Sequence, residues 1–191
     1  MKRIACLFAV PIFACSLSAQ QKDFILMEGS RDTIFCTVKT MLRTAGAVTE
    51  IEYVTRFGDE VRLERDSCRR VRSLRAGDHL WEYAPLSASK KYMRHQEVTL
   101  VGALRVYEDK GVQCETDKKG ERSFFFEAAG NRQPVKVRFP DGSWADVNKK
   151  TLKEEIAPQL MKCPAFAKEA QEMNMENYFE LFTLYNKVCP N

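Results

Sequence analysis

Near Val147 the hydrophobic period of this chain changes from about two residues to about 3.6, and that switch limits what it can fold into. Apolar and polar residues alternate before it, as in a strand with one face buried. After it, Leu152, Ile156 and Leu160 fall on one side of a helix. Strands first and helices last predict an α+β protein. Its mostly antiparallel β-rich part spans 20–147, and two to three C-terminal helices within 148–191 pack on it.

Strand-like runs cover Asp32–Lys39 and Glu50–Arg56, with a Gly58-Asp59 turn leading into Glu60–Arg65. Cys68–Leu74 reads as another strand, and Gly77-Asp78 turns it into His79–Tyr83. Two more hairpins are expected. One pairs Val98–Tyr107 with Val112–Glu115 across Asp109-Lys110-Gly111, and the other pairs Glu121–Glu127 with Val135–Phe139 across Gly130-Asn131. Pro140-Asp141-Gly142-Ser143 makes the next turn. Three consecutive phenylalanines, Phe124 to Phe126, cannot all point to one face of a sheet, so at least one is expected to meet a helix, a partner or solvent, the C-terminal helices being the best candidate.

In the tail, Thr151-Leu152-Lys153-Glu154 has the form of a capping box, and Pro158 is expected to kink the helix or divide it. Cys163-Pro164 restarts a helix running to about Met173. Asn174 is expected to cap a last helix with Tyr178, Phe179, Leu181, Phe182, Tyr185 and Val188 on its apolar face. Two antiparallel helices rising ~1.5 Å per residue return Cys189 to the neighbourhood of Cys163, which predicts a disulfide. The alternatives are two separate buried thiols, or pairing of either with Cys36, Cys68 or Cys114.

The N-terminus has the three parts of a secretory leader: Lys2-Arg3, an apolar run from Ile4 to Ala14, and a small-residue stretch ending at Ala19. Cleavage after Ala19 makes residues 1–19 a signal peptide and the mature chain periplasmic or secreted. The apolar run is shorter than the ~20 residues a membrane span needs. Ile12-Phe13-Ala14-Cys15 is also a loose lipobox, so the alternative is a chain lipid-anchored to the outer membrane through Cys15. No other stretch is suited to crossing a bilayer.

Losing Lys2 and Arg3 lowers the formal net charge from +4 to +2. Charges of both signs are interleaved, as in Glu60–Arg65, so nucleic acid is not an expected partner. Neither C-x-x-C nor a Gly-rich phosphate loop occurs, and only His79 and His95 could join a metal site. No cofactor, metal site or catalytic set is predicted. Cys68 beside Arg69-Arg70 has cationic neighbours that would lower a thiol pKa, although these fit solvated strand flanks equally well. Trp81 and Tyr83 are the aromatic candidates for a ligand groove; alternating aromatics on strands are more often core.

Glu28–Val38 approximates G-D-T-I-x-G-x-V, with Ser30-Arg31 inserted and Cys36 in a glycine slot. Val101-Gly102-Ala103-Leu104-Arg105-Val106-Tyr107 follows V-x-G-x-x-x-L/V-Y, and Lys162-Cys163-Pro164-Ala165-Phe166 and Tyr185-Asn186-Lys187 close the series. In this order the segments resemble a loose family of uncharacterised exported proteins of Gram-negative bacteria. The resemblance implies export and a β-rich body with a helical tail, and it brings no catalytic residues. The sequence therefore predicts a non-enzymatic envelope or periplasmic module that binds an envelope protein or a glycan. The alternative is a small hydrolase acting on peptidoglycan or glycan.

Overall fold

The structure is a computed structural model, and it describes residues 22–44, 47–86, 92–108, 110–126, 135–173 and 177–189. The leader with Cys15, the Gly130-Asn131 turn and Asn174 lie outside the described residues. Among the described residues there are twelve strands: β1 (Phe24–Met27), β2 (Thr33–Thr44), β3 (Ala47–Thr55), β4 (Glu60–Glu64), β5 (Val71–Ala76), β6 (His79–Pro85), β7 (Met93–Leu100), β8 (Arg105–Glu108), β9 (Val112–Thr116), β10 (Arg122–Phe126), β11 (Lys136–Arg138) and β12 (Trp144–Asp146). One five-residue helix, α1 (Arg65–Arg69), interrupts them between β4 and β5. The C-terminal helices follow, so the fold is α+β, with every pairing in the sheet antiparallel.

The long strand β2 joins two sheet regions. Its first residues pair with β1, and the path continues β1-β5-β6-β7-β8-β11-β12. The rest of β2 pairs with β3, which carries β4, and with the β9–β10 hairpin at Met41↔Cys114. Asp23 fastens the branch. Its buried carboxylate accepts from the Val38 N–H (2.9 Å), the Gly77 N–H (2.8 Å) and Arg122 Nη1 (2.6 Å). One side chain thereby ties β1, β2, the β5–β6 turn and β10.

The turn residues fold as their chemistry predicts. At Gly58-Asp59 the Gly58 N–H donates to Thr55 O, and Thr55 N–H donates to Asp59 O. Gly142, at φ 82°, takes the left-handed position of the β11–β12 turn, where Asp141 Oδ1 accepts from the Ser143 N–H. Strand partners differ from expectation. β8 pairs with β7 and β11, not with β9; β10 pairs with β9, not with β11. The expected strand from Cys68 begins instead at Val71, because Arg65–Arg69 forms α1 and buries Cys68 in the core.

Among the described residues two larger hydrophobic clusters and one small one hold the molecule. Ile25, Met41, Ile51, Leu74, Trp81 and Cys114 centre the first, between the two sheet regions. Leu104, Val106, Val137 and Ala145 centre the second, beneath the helices. The helical tail starts three residues earlier than expected. Asn148 is the N-cap of α2 (Lys149–Thr151), accepting from Lys150 N and Thr151 N, and the Thr151 hydroxyl accepts from Asn148 N–H at 3.1 Å. Asn caps as well as Thr, and β12 ends at Asp146, so the helix begins at once. Ahead of Pro158 the chain widens into a π-helical stretch, Leu152–Ile156, before α3 (Ala157–Leu160). Pro158 falls in the first turn of α3, where its missing N–H costs least, so the expected division appears as short successive segments instead of one regular helix. Leu152, Ile156 and Leu160 are buried on one side, as the period predicts.

Beyond it lie α4 (Pro164–Glu169), a 3-10 turn (Ala170–Glu172) and α5 (Tyr178–Val188), whose cap is Asn177. Cys163 and Cys189 form a disulfide across 26 residues of sequence. Leu181 and Phe182 are buried, but Phe179 is exposed, so the apolar face is narrower than the sequence suggested. Nor do the helices meet Phe124. Its ring lies 4.5 Å from the His79 ring and against Gly77, where φ is 56° and an added Cβ would sit 3.3 Å from the phenyl edge.

Two segments remote in sequence lock the tail to the sheet. Asn186 Oδ1 accepts from the Leu104 N–H at 2.6 Å, and its Nδ2 donates to Leu104 O at 3.0 Å. Gly102 leaves room for this, since a Cβ there would lie 2.4 Å from Asn186 Cγ. The glycine of Val101–Tyr107 and the asparagine of Tyr185-Asn186 are thus two halves of one contact.

Candidate functional site: a cleft on the sheet's uncovered face

The sheet path from β1 to β12 has two faces, and among the described residues the helices pack on the one that carries Val106, Val137 and Ala145. Cross-strand register places Phe24, Ser73 and Glu82 on the other face, and continues it through Tyr107, Arg138 and Trp144. Phe24 of β1 and Trp144 of β12 pack on the same small cluster of Leu80, Ala84, Val98 and Tyr107, so the sheet curls until its first and last strands share a hollow. The result is a cleft of about 520 Å³ lined by β1, β2, β5, β6, β8, β11 and β12.

Glu82 lies within it and accepts from Arg105 Nη1 through Oε1 and from the Tyr107 hydroxyl through Oε2 at 2.7 Å. Burial pushes the Tyr107 hydroxyl well above its ordinary pKa, and the Glu82 charge adds to the shift. For Arg105, burial works against the charge, but Glu82 and Tyr107 outweigh it and hold the guanidinium protonated. This trio fixes one wall. Arg72 and Arg138 also line the cleft, both are exposed, and neither has a carboxylate partner among the described residues. Arg138 lies over the Trp144 ring, with Cζ 5.9 Å from its centroid.

A larger hollow of about 660 Å³, near Cys36 and Arg56, is a weaker site because Asp23 and Arg122 in its lining satisfy each other. Among the described residues no group of three His, Cys, Asp or Glu side chains gathers in a way that could hold a metal ion.

The two aromatic candidates separate. Trp81 is fully buried in the first core cluster and stacks on His79, so it is a packing residue. Tyr83 contacts the His95 ring at 5.2 Å and lines the cleft. The hydrolase alternative built on Cys68 is not assembled. Cys68 Sγ donates to Leu63 O, and burial raises its thiol pKa to about 11. Burial likewise raises Cys114 to about 11 and Cys36 to about 12. Both histidines are engaged elsewhere. His79 Nδ1 lies 2.7 Å from Glu97 Oε1, and His95 Nε2 lies 2.7 Å from Val71 O, with burial lowering its pKa to about 4.

The arginine and aromatic lining was the part missed. Lys136-Val137-Arg138 alternates like any solvated strand, and its only hint is the Trp144 that the Asp141-Gly142 turn folds back beside it.

Fold and cleft together define an α+β protein with a curled antiparallel sheet, a helical tail closed by its own disulfide, and a hollow lined by arginines and aromatic rings. No family model, curated protein or solved structure matches the chain. No helix among the described residues is long and apolar enough to cross a membrane.

Proposed function

We propose that this is an exported binding protein of the periplasm or cell envelope, which holds its ligand in the cleft of the curled sheet. The observation that carries the reading is the pair of guanidinium groups, Arg72 and Arg138, that line the hollow with aromatic rings and form no salt bridge among the described residues. Export is supported by the leader pattern at 1–19 and by the Cys163–Cys189 disulfide, a bond that persists in oxidising compartments. The order of the segments around Gly102, Cys163 and Asn186, similar to that of exported Gram-negative proteins, points the same way. A binding role is favoured over hydrolysis because the thiols are held neutral and the histidines are spent on structural partners.

The test has two arms. Cells expressing the full chain are fractionated, and the recovered protein is weighed by mass spectrometry. A mass lacking residues 1–19, in the periplasmic or envelope fraction, is expected; the whole chain in the cytosol overturns export. The mature protein and its Arg72→Gln/Arg138→Gln variant are then compared for ligand retained from envelope extract. Equal retention by both overturns the cleft.

A further inference from the structure

We propose that β10 pairs edge to edge with the β10 of a second copy of this chain, antiparallel about a two-fold axis at Phe124, so that two sheets become continuous. β10 lines no part of the cleft, so this contact stands or falls separately from the ligand site.

Among the described residues three strands have a single neighbour: β4 on β3, β12 on β11 and β10 on β9. The outward N–H and C=O groups of such a strand are a template for another strand, and sheets guard them with charge or with brevity. Glu60, Arg62 and Glu64 stand exposed along β4. Full-length self-pairing there would set Arg62 against its own copy and Glu60 against Glu64, and like charges directly opposite destabilise a strand pair. β12 has three residues, and the Asn148 cap turns the chain into a helix just beyond it.

β10 has neither guard. Ser123, Phe124 and Phe125 are uncharged and exposed, each of the two phenylalanines by 38%. Arg122 is the strand's one charge, and Asp23 neutralises it at 2.6 Å. Self-pairing centred on Phe124 sets Ser123 against Phe125, lays the two Phe124 side chains side by side, and brings no two like charges together. Asp23 already holds the start of the strand, and the Phe124 ring rests against His79 and Gly77, so little freedom is lost on pairing. A two-fold contact needs only one self-complementary patch, and this edge supplies it.

The experiment is sedimentation equilibrium of the oxidised mature protein beside two variants, Ser123→Lys/Phe125→Lys and Ser123→Glu/Phe125→Glu. Both positions are exposed, and thermal melts verify that the variants fold. Two five-residue strands make a small interface, so the concentrations extend to about 1 mM. The wild-type mass is expected to rise with concentration from one chain toward two. Either variant sets like charges opposite each other across the axis, and its self-association is expected to weaken by about tenfold or more. An equimolar mixture of the variants sets ammonium against carboxylate and is expected to restore association. A wild-type mass of one chain throughout, a dimer that both variants retain, or a mixture no more associated than its components overturns the pairing.

Discussion

Gly102→Ala tests how the helical tail is locked to the sheet. An added Cβ would lie 2.4 Å from Asn186 Cγ, 2.5 Å from Nδ2 and 2.7 Å from Oδ1, so the amide has to leave. Leaving breaks its two bonds to the Leu104 backbone, a donor and an acceptor in a half-buried position. An unpaired buried polar group costs ~1–3 kcal/mol, and some water reaches this site, so the substitution is expected to cost about 2–3 kcal/mol. Asn186→Ala removes the same two bonds and is expected to cost a similar amount. Once the amide is gone the alanine at 102 has room, so the double variant should be scarcely worse than either single one. The coupling energy is then ~2 kcal/mol. Urea denaturation followed by far-UV circular dichroism, with m-values checked for constancy, measures all four proteins. Additive effects, or a Gly102→Ala cost below ~0.5 kcal/mol, would refute the lock.

Reducing the Cys163–Cys189 bridge, or replacing both cysteines by serine, reopens a loop spanning 26 residues. The chain-entropy account gives a loss of about 3.5 kcal/mol, read by denaturation with and without reductant. Asp23→Ala leaves Arg122 without its buried partner and two backbone N–H groups without an acceptor. A loss of ~3–5 kcal/mol is expected in the same assay, against under ~1 kcal/mol if the carboxylate is only a surface charge. His95 has a folded-state pKa lowered from 6.5 to about 4, so between those values the unfolded chain binds more protons. Its share of stability is complete above about pH 6.5 and is lost as pH falls toward 4, by about 3 kcal/mol in all. Denaturation across pH 4–7 should show this slope, and His95→Gln should remove it.

What the sequence revealed was local. Gly58-Asp59, Gly77-Asp78 and Asp141-Gly142 mark their turns because φ and short-range hydrogen bonds depend on the residues themselves. The helical period located Leu152, Ile156 and Leu160, and helix spacing was enough to bring Cys163 and Cys189 together. Partners chosen across long separations were not visible. β9 joins β2 at Met41↔Cys114, and nothing within Val112–Thr116 distinguishes that neighbour from β8. Capping was ambiguous for a related reason. Asn148 and Thr151 are both good capping residues, and the end of β12 decides between them. The cleft was the least visible, since Arg138, Phe24 and Phe35 come to line one hollow only after the sheet has curled. Of its lining only Tyr83 stood out, and its companion Trp81 had gone to the core.

Hydrogen exchange of the mature protein, with and without an excess of soluble envelope extract, tests the uncovered face as the working surface without naming a ligand in advance. Slowed exchange confined to the strands that line the cleft, β5 and the β11–β12 hairpin among them, and absent in Arg72→Gln/Arg138→Gln, is the result expected. Protection falling on α4 and α5, or on no segment at all, would contradict it.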